Sequence, residues 1–272
     1  MKLNEKPYMT MQTIKDMEDM SFFTYAQIFD DLLIVAQKET NCFVWKTSEG
    51  LVIIDAIWPD ERVYQAICQA ITETDWNTKD IYKLVLTHGH VDHTGCGKWI
   101  AENHKVDIYM SKIDDIFWQE HPTKPDRPNT WKDYDISVYI KDGDTISCGD
   151  KRISVYETPG HTPGSLSYIF PVHENGEEHM AAVFGGATPP WNSTDGAKEY
   201  LRSVVYFKEC TKKQHADVML CNHTAFDNGQ ERIAYSKKRL SYLPNIYVIG
   251  EDGVQKFFDV FETLGKEKLE QK

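Results

Sequence analysis

Short blocks of apolar residues along the first half of the chain predict β-strands. Such blocks occupy residues 31–35, 41–45, 51–55 and 81–86. The polar segment 47–50 separates the second block from the third and is typical of a hairpin turn. The first half is therefore predicted to be rich in strands, two of which are joined as a hairpin.

Helical spacing follows the strands in each half of the chain. Between residues 60 and 72, Val63, Ile67, Ala70 and Ile71 fall on one helical face. A second helix is predicted to begin at 96–101. The second half repeats this order, with predicted strands at 153–156, 166–170, 180–184 and 216–221 and predicted helices at 195–214, 229–242 and 252–268.

This order suggests two similar halves that meet face to face with their helices outside. Since no low-complexity segment or linker interrupts the chain, we predict an N-terminal arm over residues 1–25 and one domain over 26–272. Residues 112–134 contain Pro122, Pro125 and Pro128 with little periodicity and predict a long loop. This loop is either a lid over a site or a surface excursion whose tryptophans pack inward.

Composition and charge narrow the range of partners. The chain has 272 residues, of which 41% are hydrophobic, and a net charge of −12. Such a surface repels phosphate backbones, so we expect no nucleic-acid partner. No segment has the roughly 20 apolar residues of a membrane span, and the first residues contain no apolar run that could serve as a signal peptide. The six cysteines form no CxxC pair. We predict a cytoplasmic protein with a small-molecule substrate, and the oligomeric state stays open.

The strongest chemical signal is a cluster of potential metal ligands. His88, His90, Asp92 and His93 fall within six consecutive positions, directly after the predicted strand 81–86. Imidazole and carboxylate are ligands of zinc. In extended backbone His88 and His90 point the same way and can share one ion. As the chain turns into a helix, Asp92 and His93 can reach a second ion, so the pattern predicts a two-metal site.

Two motifs identify a resemblance to a known family. His88-Gly89-His90-Val91-Asp92-His93 matches the HxHxDH motif of the metallo-β-lactamase superfamily, and residues 158–165 resemble its TPGHTPGS segment. The resemblance extends over roughly residues 30–265 and implies an α/β fold, the αββα four-layer sandwich of this superfamily. The strand 51–55 resembles one that ends in a supporting aspartate, so Asp55 is expected to bond to a ligand imidazole.

The residue at position 187 departs from the usual pattern of the superfamily, and one subclass shares this departure. Ala187 follows Gly185-Gly186, where most members place a carboxylate that bridges the metals. The third subclass of class B β-lactamases also lacks this carboxylate, and residues 217–223 resemble its late metal-binding segment. The resemblance therefore implies two zinc ions per chain, the first on His88, His90 and His161 and the second on Asp92, His93 and His223.

This resemblance implies a zinc-dependent metallo-hydrolase. A metal-bound hydroxide would open a cyclic amide such as a β-lactam, and Asp92 would orient it as the catalytic residue. An alternative substrate is another ester, lactone or thioester. Candidates for the rim of the substrate pocket are Trp58, Thr188, Trp191 and Asn192, for all of which core packing is the alternative.

Other classes of function fit the residues less well. A non-catalytic metal-binding protein is the main alternative, but a structural zinc is usually saturated by four ligands. A nuclease is disfavoured by the acidic surface and by Ala187. Iron binds the same donors, but no flavin-binding segment accompanies them.

Overall fold

The structure is a computed structural model that describes residues 19–120, 134–190 and 193–270. Several predictions fall on the remaining positions. Residues 1–18 of the predicted arm, residues 121–133 of the predicted loop, Trp191 and Asn192 lie outside the described residues. The division into an arm and a domain at residue 25 stays a prediction.

Among the described residues, the first sheet contains seven strands that lie side by side in chain order. The first four pair antiparallel, and β4 to β7 pair parallel. Because β4 and β5 are parallel, their carboxyl ends meet at one edge, where open α/β sheets bind ligands. The strands are β1 Thr24–Phe29, β2 Leu32–Ala36, β3 Asn41–Thr47, β4 Gly50–Ile54, β5 Ile81–Val85, β6 Asp107–Met110 and β7 Val138–Tyr139.

In the part of the chain that the structure describes, the second sheet contains five strands in the order β12-β11-β10-β9-β8. Adjacent strands of this sheet pair antiparallel, except that β12 runs parallel to β11. The loop between β9 and β10 and the end of β12 carry the histidines predicted in this half. The strands are β8 Thr145–Cys148, β9 Lys151–Glu157, β10 Leu166–Glu174, β11 Glu177–Val183 and β12 Val218–Leu220.

Helices cover the outer faces of both sheets. Asp60 caps the N-terminus of the first helix, and its carboxylate accepts a hydrogen bond from the Arg62 N–H at 2.9 Å. The buried face of this helix contains Val63, Ile67 and Ala70, as the spacing predicts. The helices are α1 Glu61–Glu73, α2 Val91–Thr94, α3 Gly97–Asn103, α4 Lys112–Glu120, α5 Thr194–Lys213, α6 Gly229–Lys238 and α7 Glu251–Glu270.

Three apolar layers hold these elements together. Trp45 and Phe170 pack between the two sheets, with ring centroids 5.1 Å apart. Ile53 and Ile67 belong to the layer between the first sheet and α1. Phe184 belongs to the layer between the second sheet and the helices α5 and α7. The predicted αββα sandwich is therefore confirmed.

Several elements differ from the sequence prediction. Strand β1 precedes the first predicted strand, and helix α4 occupies residues 112–120, where we predicted a loop. The helix predicted at 229–242 ends at Lys238. Ile113 and Ile116 of α4 are exposed, whereas Asp114 and Trp118 are buried, so the apolar residues do not indicate which face of this helix is packed. Within the described ranges, no helix combines the length and the apolar composition that a membrane span requires.

Candidate metal centre

Loops at the ends of the strands bring the predicted ligands together. One loop follows β5 and continues into α2, a second joins β9 to β10, and a third follows β12. The structure gathers the six residues into two groups, and within each group the potential ligand atoms lie within 4.8 Å of one another. The first group is His88, His90 and His161, and the second is Asp92, His93 and His223.

Three imidazole rings form the first group. The ring centroids of His88 and His90 are 4.9 Å apart, and that of His161 lies 4.7 Å from His88 and 4.6 Å from His90. All three pairs meet edge to face, with interplanar angles of 81° to 86°. The rings therefore surround one small space.

The second group lies directly beside the first. His93 Nε2 is 3.4 Å from Asp92 Oδ2, and His223 Nε2 is 3.7 Å from the same oxygen. The two Nε2 atoms are 3.1 Å apart. Because the ring centroids of His88 and His93 are only 4.1 Å apart, cations held by the two groups would be close neighbours.

The Asp55 side chain forms hydrogen bonds with the segment that follows β5 and carries His88, His90 and His93. Asp55 follows β4 with φ of 63°, which is uncommon outside glycine and is tolerated where the surroundings fix the backbone. Its buried carboxylate accepts hydrogen bonds from the Thr87 N–H at 2.8 Å and from the Thr87 hydroxyl at 2.9 Å. Its Oδ2 lies 2.8 Å from His93 Nδ1, so Asp55 contacts the imidazole of one of the predicted ligands.

Hydrogen bonds at Nδ1 fix the orientation of the His88 and His161 rings. His88 Nδ1 lies 3.0 Å from the Thr87 hydroxyl oxygen, which accepts its proton while the hydroxyl donates to Asp55. His161 Nδ1–H donates to the Thr188 carbonyl oxygen at 2.8 Å. These bonds leave the lone pair on Nε2, the usual arrangement of a ligand imidazole.

One buried atom indicates what the first group can hold. His88 Nε2 is fully buried and has no hydrogen-bond partner among the described residues. Leaving such an atom unsatisfied costs about 1–3 kcal/mol. A metal ion between the three rings would satisfy it, and neutral imidazoles are suitable donors for zinc. The residues present therefore fit a metal ion.

Electrostatics favour the neutral form of most of these rings. Burial lowers the pKa of His88 and of His161 well below the usual value. Burial, followed by the charge of His93, lowers the pKa of His223 to about 4. Since a metal binds the neutral imidazole, these three rings are ready to act as ligands at neutral pH.

His93 and Asp92 behave as a coupled pair. Burial disfavours a charge on His93, but the carboxylates of Asp92 and Asp55 raise its pKa to about 10. Burial likewise opposes the charge of Asp92, yet His93 lowers the pKa of Asp92 well below its usual range. A cation bound here would take the place of the His93 proton and balance both carboxylates.

The predicted pocket residues have different surroundings. Thr188 touches the first group, because its carbonyl and hydroxyl oxygens lie 2.8 and 3.0 Å from His161 Nδ1. Trp58 is half-buried against the apolar layer under α1, so packing accounts for its position. Trp191 and Asn192 lie outside the described residues, and the rim itself stays a prediction.

The structure adds neighbours that sequence reasoning missed. Asn222 precedes His223, and its amide donates to the Gly185 carbonyl oxygen at 3.0 Å, which fixes the end of β12. Phe117 of α4 packs its ring 5.7 Å from that of His90. Adjacency to His223 was a usable signal for Asn222, whereas nothing local distinguishes Phe117.

Comparison with known proteins agrees with this geometry. A family model described as the metallo-beta-lactamase superfamily matches residues 37–174, about half of the chain. The chain belongs to this superfamily. The matched region includes the HxHxDH segment and His161, so the resemblance inferred from the motifs is confirmed.

Curated relatives of this superfamily member include hydroxyacylglutathione hydrolases. The chain is 28% identical to hydroxyacylglutathione hydrolase GloC of Haemophilus influenzae, over 51% of the chain and 65% of that enzyme. It is 32% identical to hydroxyacylglutathione hydrolase of Buchnera aphidicola, over 46% of the chain and 42% of that enzyme. The chain thus spans less than two thirds of the length of either relative.

The fold as a whole is similar to that of solved β-lactamases. BJP-1, a subclass B3 metallo-beta-lactamase of Bradyrhizobium japonicum, superimposes with a TM-score of 0.78. The similarity covers 95% of this superfamily member and 97% of BJP-1, at 20% sequence identity. At that identity the likeness establishes the αββα fold and not the reaction.

Proposed function

We propose that this protein is a hydrolase that uses two zinc ions to open the cyclic amide of a β-lactam. The observation that carries the proposal is the division of six donors into two adjacent groups, with Ala187 where a bridging carboxylate would otherwise stand. In this proposal, one ion is held by His88, His90 and His161 and the other by Asp92, His93 and His223.

Zinc would supply two effects, since it lowers the pKa of a bound water to near 7 and polarises a carbonyl group. The chain supplies orientation. Asp55 holds the His93 ring through Nδ1, and the Thr188 carbonyl oxygen holds the His161 ring in the same way. Asp92 would accept a hydrogen bond from the attacking water and direct it at the substrate carbonyl carbon. Phe117 supplies an apolar wall beside His90.

A second candidate substrate is a thioester. What supports it is the sequence similarity to hydroxyacylglutathione hydrolases, which reaches 33% identity over 38% of the chain. The same two groups of ligands would serve this reaction, because a thioester also presents a carbonyl carbon to the attacking water. Ala187 favours the β-lactam, since it is the feature shared with the third subclass of class B β-lactamases.

A substrate panel separates the two candidates. The zinc-loaded full chain is tested on nitrocefin, a hydroxyacylglutathione thioester and a simple lactone, before and after removal of metal with a chelator. We expect kcat/KM on nitrocefin to reach about 10⁴ M⁻¹s⁻¹ or more, the lower end for dedicated enzymes. We expect chelation to abolish the activity and added zinc to restore it.

Other results of the substrate panel would indicate a different substrate, contradict the metal mechanism or favour a non-catalytic function. A kcat/KM on the thioester more than about 100-fold above that on nitrocefin would make the thioester the substrate and β-lactam cleavage incidental. Hydrolysis that survives chelation would contradict the metal mechanism. A protein that retains zinc but hydrolyses none of the three compounds would favour the non-catalytic metal-binding function.

A further inference from the structure

Asp114 belongs to no recognised motif, yet it is fully buried at the start of α4. Its own N–H donates to the Ser111 hydroxyl oxygen at 3.0 Å, which fixes the first turn of the helix. A carboxylate is costly to bury unless it accepts several hydrogen bonds. The groups that donate to Asp114 are therefore informative.

The loop that carries His88 and His90 is bound to Asp114 through its central residue. The Gly89 N–H donates to Asp114 Oδ2 at 2.7 Å. A Cβ atom at Gly89 would lie 2.9 Å from the Asp114 carbonyl oxygen, so α4 packs directly against this loop. The carboxylate therefore fixes the backbone between the two histidines.

The loop that carries His161 is bound to the same carboxylate. The Thr162 hydroxyl donates to Oδ2 and the Gly164 N–H donates to Oδ1, both at 2.7 Å. A Cβ atom at Gly164 would lie 2.7 Å from the Asp114 nitrogen, so this loop is also in close contact with the helix. One side chain thus joins two loops that are some 70 residues apart in the sequence.

We propose that Asp114 is a positioning residue that sets the distance between His161 and the pair His88–His90, and with it the affinity of the first group for metal. The inference rests on the proposed function, since it takes these three histidines as ligands. No salt bridge among the described residues involves Asp114. Burial raises the pKa of Asp114, and the hydrogen bonds from Thr162, Gly89 and Gly164 oppose this effect. A cation in the nearby group would favour the charged carboxylate further.

Asp114→Asn in the full chain is the first test. An amide has a single accepting oxygen, so it cannot accept hydrogen bonds from Gly89 and Gly164 with separate oxygens as the carboxylate does. Zinc affinity is measured by competition with a chromophoric chelator, and the unfolding midpoint of the metal-free protein is measured beside it. We expect zinc affinity to fall about 10–100-fold, as is usual when a group that orients ligands is lost.

Asp115→Asn is the matched control. Asp115 is the next residue of the same turn and is also buried. Its carboxylate accepts hydrogen bonds from the Tyr139 hydroxyl at 2.7 Å and from Gln119 at 2.9 Å, neither of which lies in a histidine loop. We expect this variant to lose stability to a similar extent and to keep the zinc affinity of the wild type.

Thr162→Val is a milder second variant that serves if Asp114→Asn does not fold. It removes one of the three donors to Asp114 and leaves the others in place. We expect a loss of zinc affinity of about tenfold. Thr162→Ser, which keeps the hydroxyl, should restore most of it.

The outcomes separate this inference from the proposed function. Wild-type affinity in Asp114→Asn, or in Thr162→Val should the first variant not fold, would overturn the inference and leave the proposed function intact. An equal loss of zinc affinity in Asp115→Asn would also overturn it, because general destabilisation would then be the cause. A wild-type protein that binds no zinc would overturn both proposals.

Discussion

Replacement of Asp92 by asparagine is expected to lower kcat/KM on the best substrate of the panel by more than about 100-fold. Loss of a residue that only orients a ligand costs up to about 100-fold, and Asp92 would itself be a ligand. Asparagine has nearly the same size as aspartate, but it lacks the negative charge that lies beside His93 and His223 in the second group. An amide is also a poor acceptor for a hydrogen bond from the attacking water. Initial rates on the zinc-loaded variant measure this effect.

A surface aspartate provides the control for this substitution. Asp195→Asn also removes one negative charge, and the Asp195 side chain is 94% exposed at the start of α5. We expect its rates to equal those of the wild type. If Asp92→Asn stays within tenfold of the wild type, the role assigned to Asp92 is wrong.

The largest effect on stability is expected for Phe184→Ala. Phe184 is 1% exposed, and its ring lies 5.9 Å from those of Tyr200, Phe207 and Phe258 and 5.2 Å from that of Phe261. The substitution leaves a cavity where α5 and α7 meet the second sheet. We expect the free energy of unfolding to fall by about 3–5 kcal/mol.

Urea unfolding of the metal-free protein measures this loss, since bound zinc would add its own stabilisation. Val205→Ala on α5 is the control, because Val205 is 51% exposed. Its effect should stay within about 0.5 kcal/mol. A loss below about 1 kcal/mol in Phe184→Ala would mean that the aromatic cluster is not the main contact between this sheet and its helices.

Most of the fold could be predicted from the sequence, because the spacing of apolar residues indicates which side chains are buried. The spacing of Val63, Ile67 and Ala70 predicts α1 correctly, and the apolar block at 81–86 predicts β5. Helix α4 was missed because its apolar residues lie on both faces, and Trp118 is buried while Ile116 is exposed. Its start depends on the contact of Ser111 with the Asp114 N–H, which hydropathy does not record.

The candidate site could be predicted from the sequence only where its residues form motifs. His88, His90 and His93 stand in one short segment, so their types and spacing suffice to indicate a metal site. His161 and His223 required the family resemblance, since each is a single histidine after a strand. The structure brings all of them into the two groups.

The supporting residues could not be predicted in the same way. Asp114 reaches the loops of the histidines through a helix that follows β6, and its three donors come from residues 25, 48 and 50 positions away. No local pattern encodes such contacts, because tertiary packing determines them. Asp55 was found only because the strand that precedes it resembles one in the superfamily.

The proposed function requires that the two adjacent groups of side chains each bind a zinc ion. The most direct measurement is the zinc content of the full chain after loading and removal of free metal, by mass spectrometry of the element against protein concentration. We expect close to two zinc ions per chain. A single tightly held ion, or none, would contradict the proposed function.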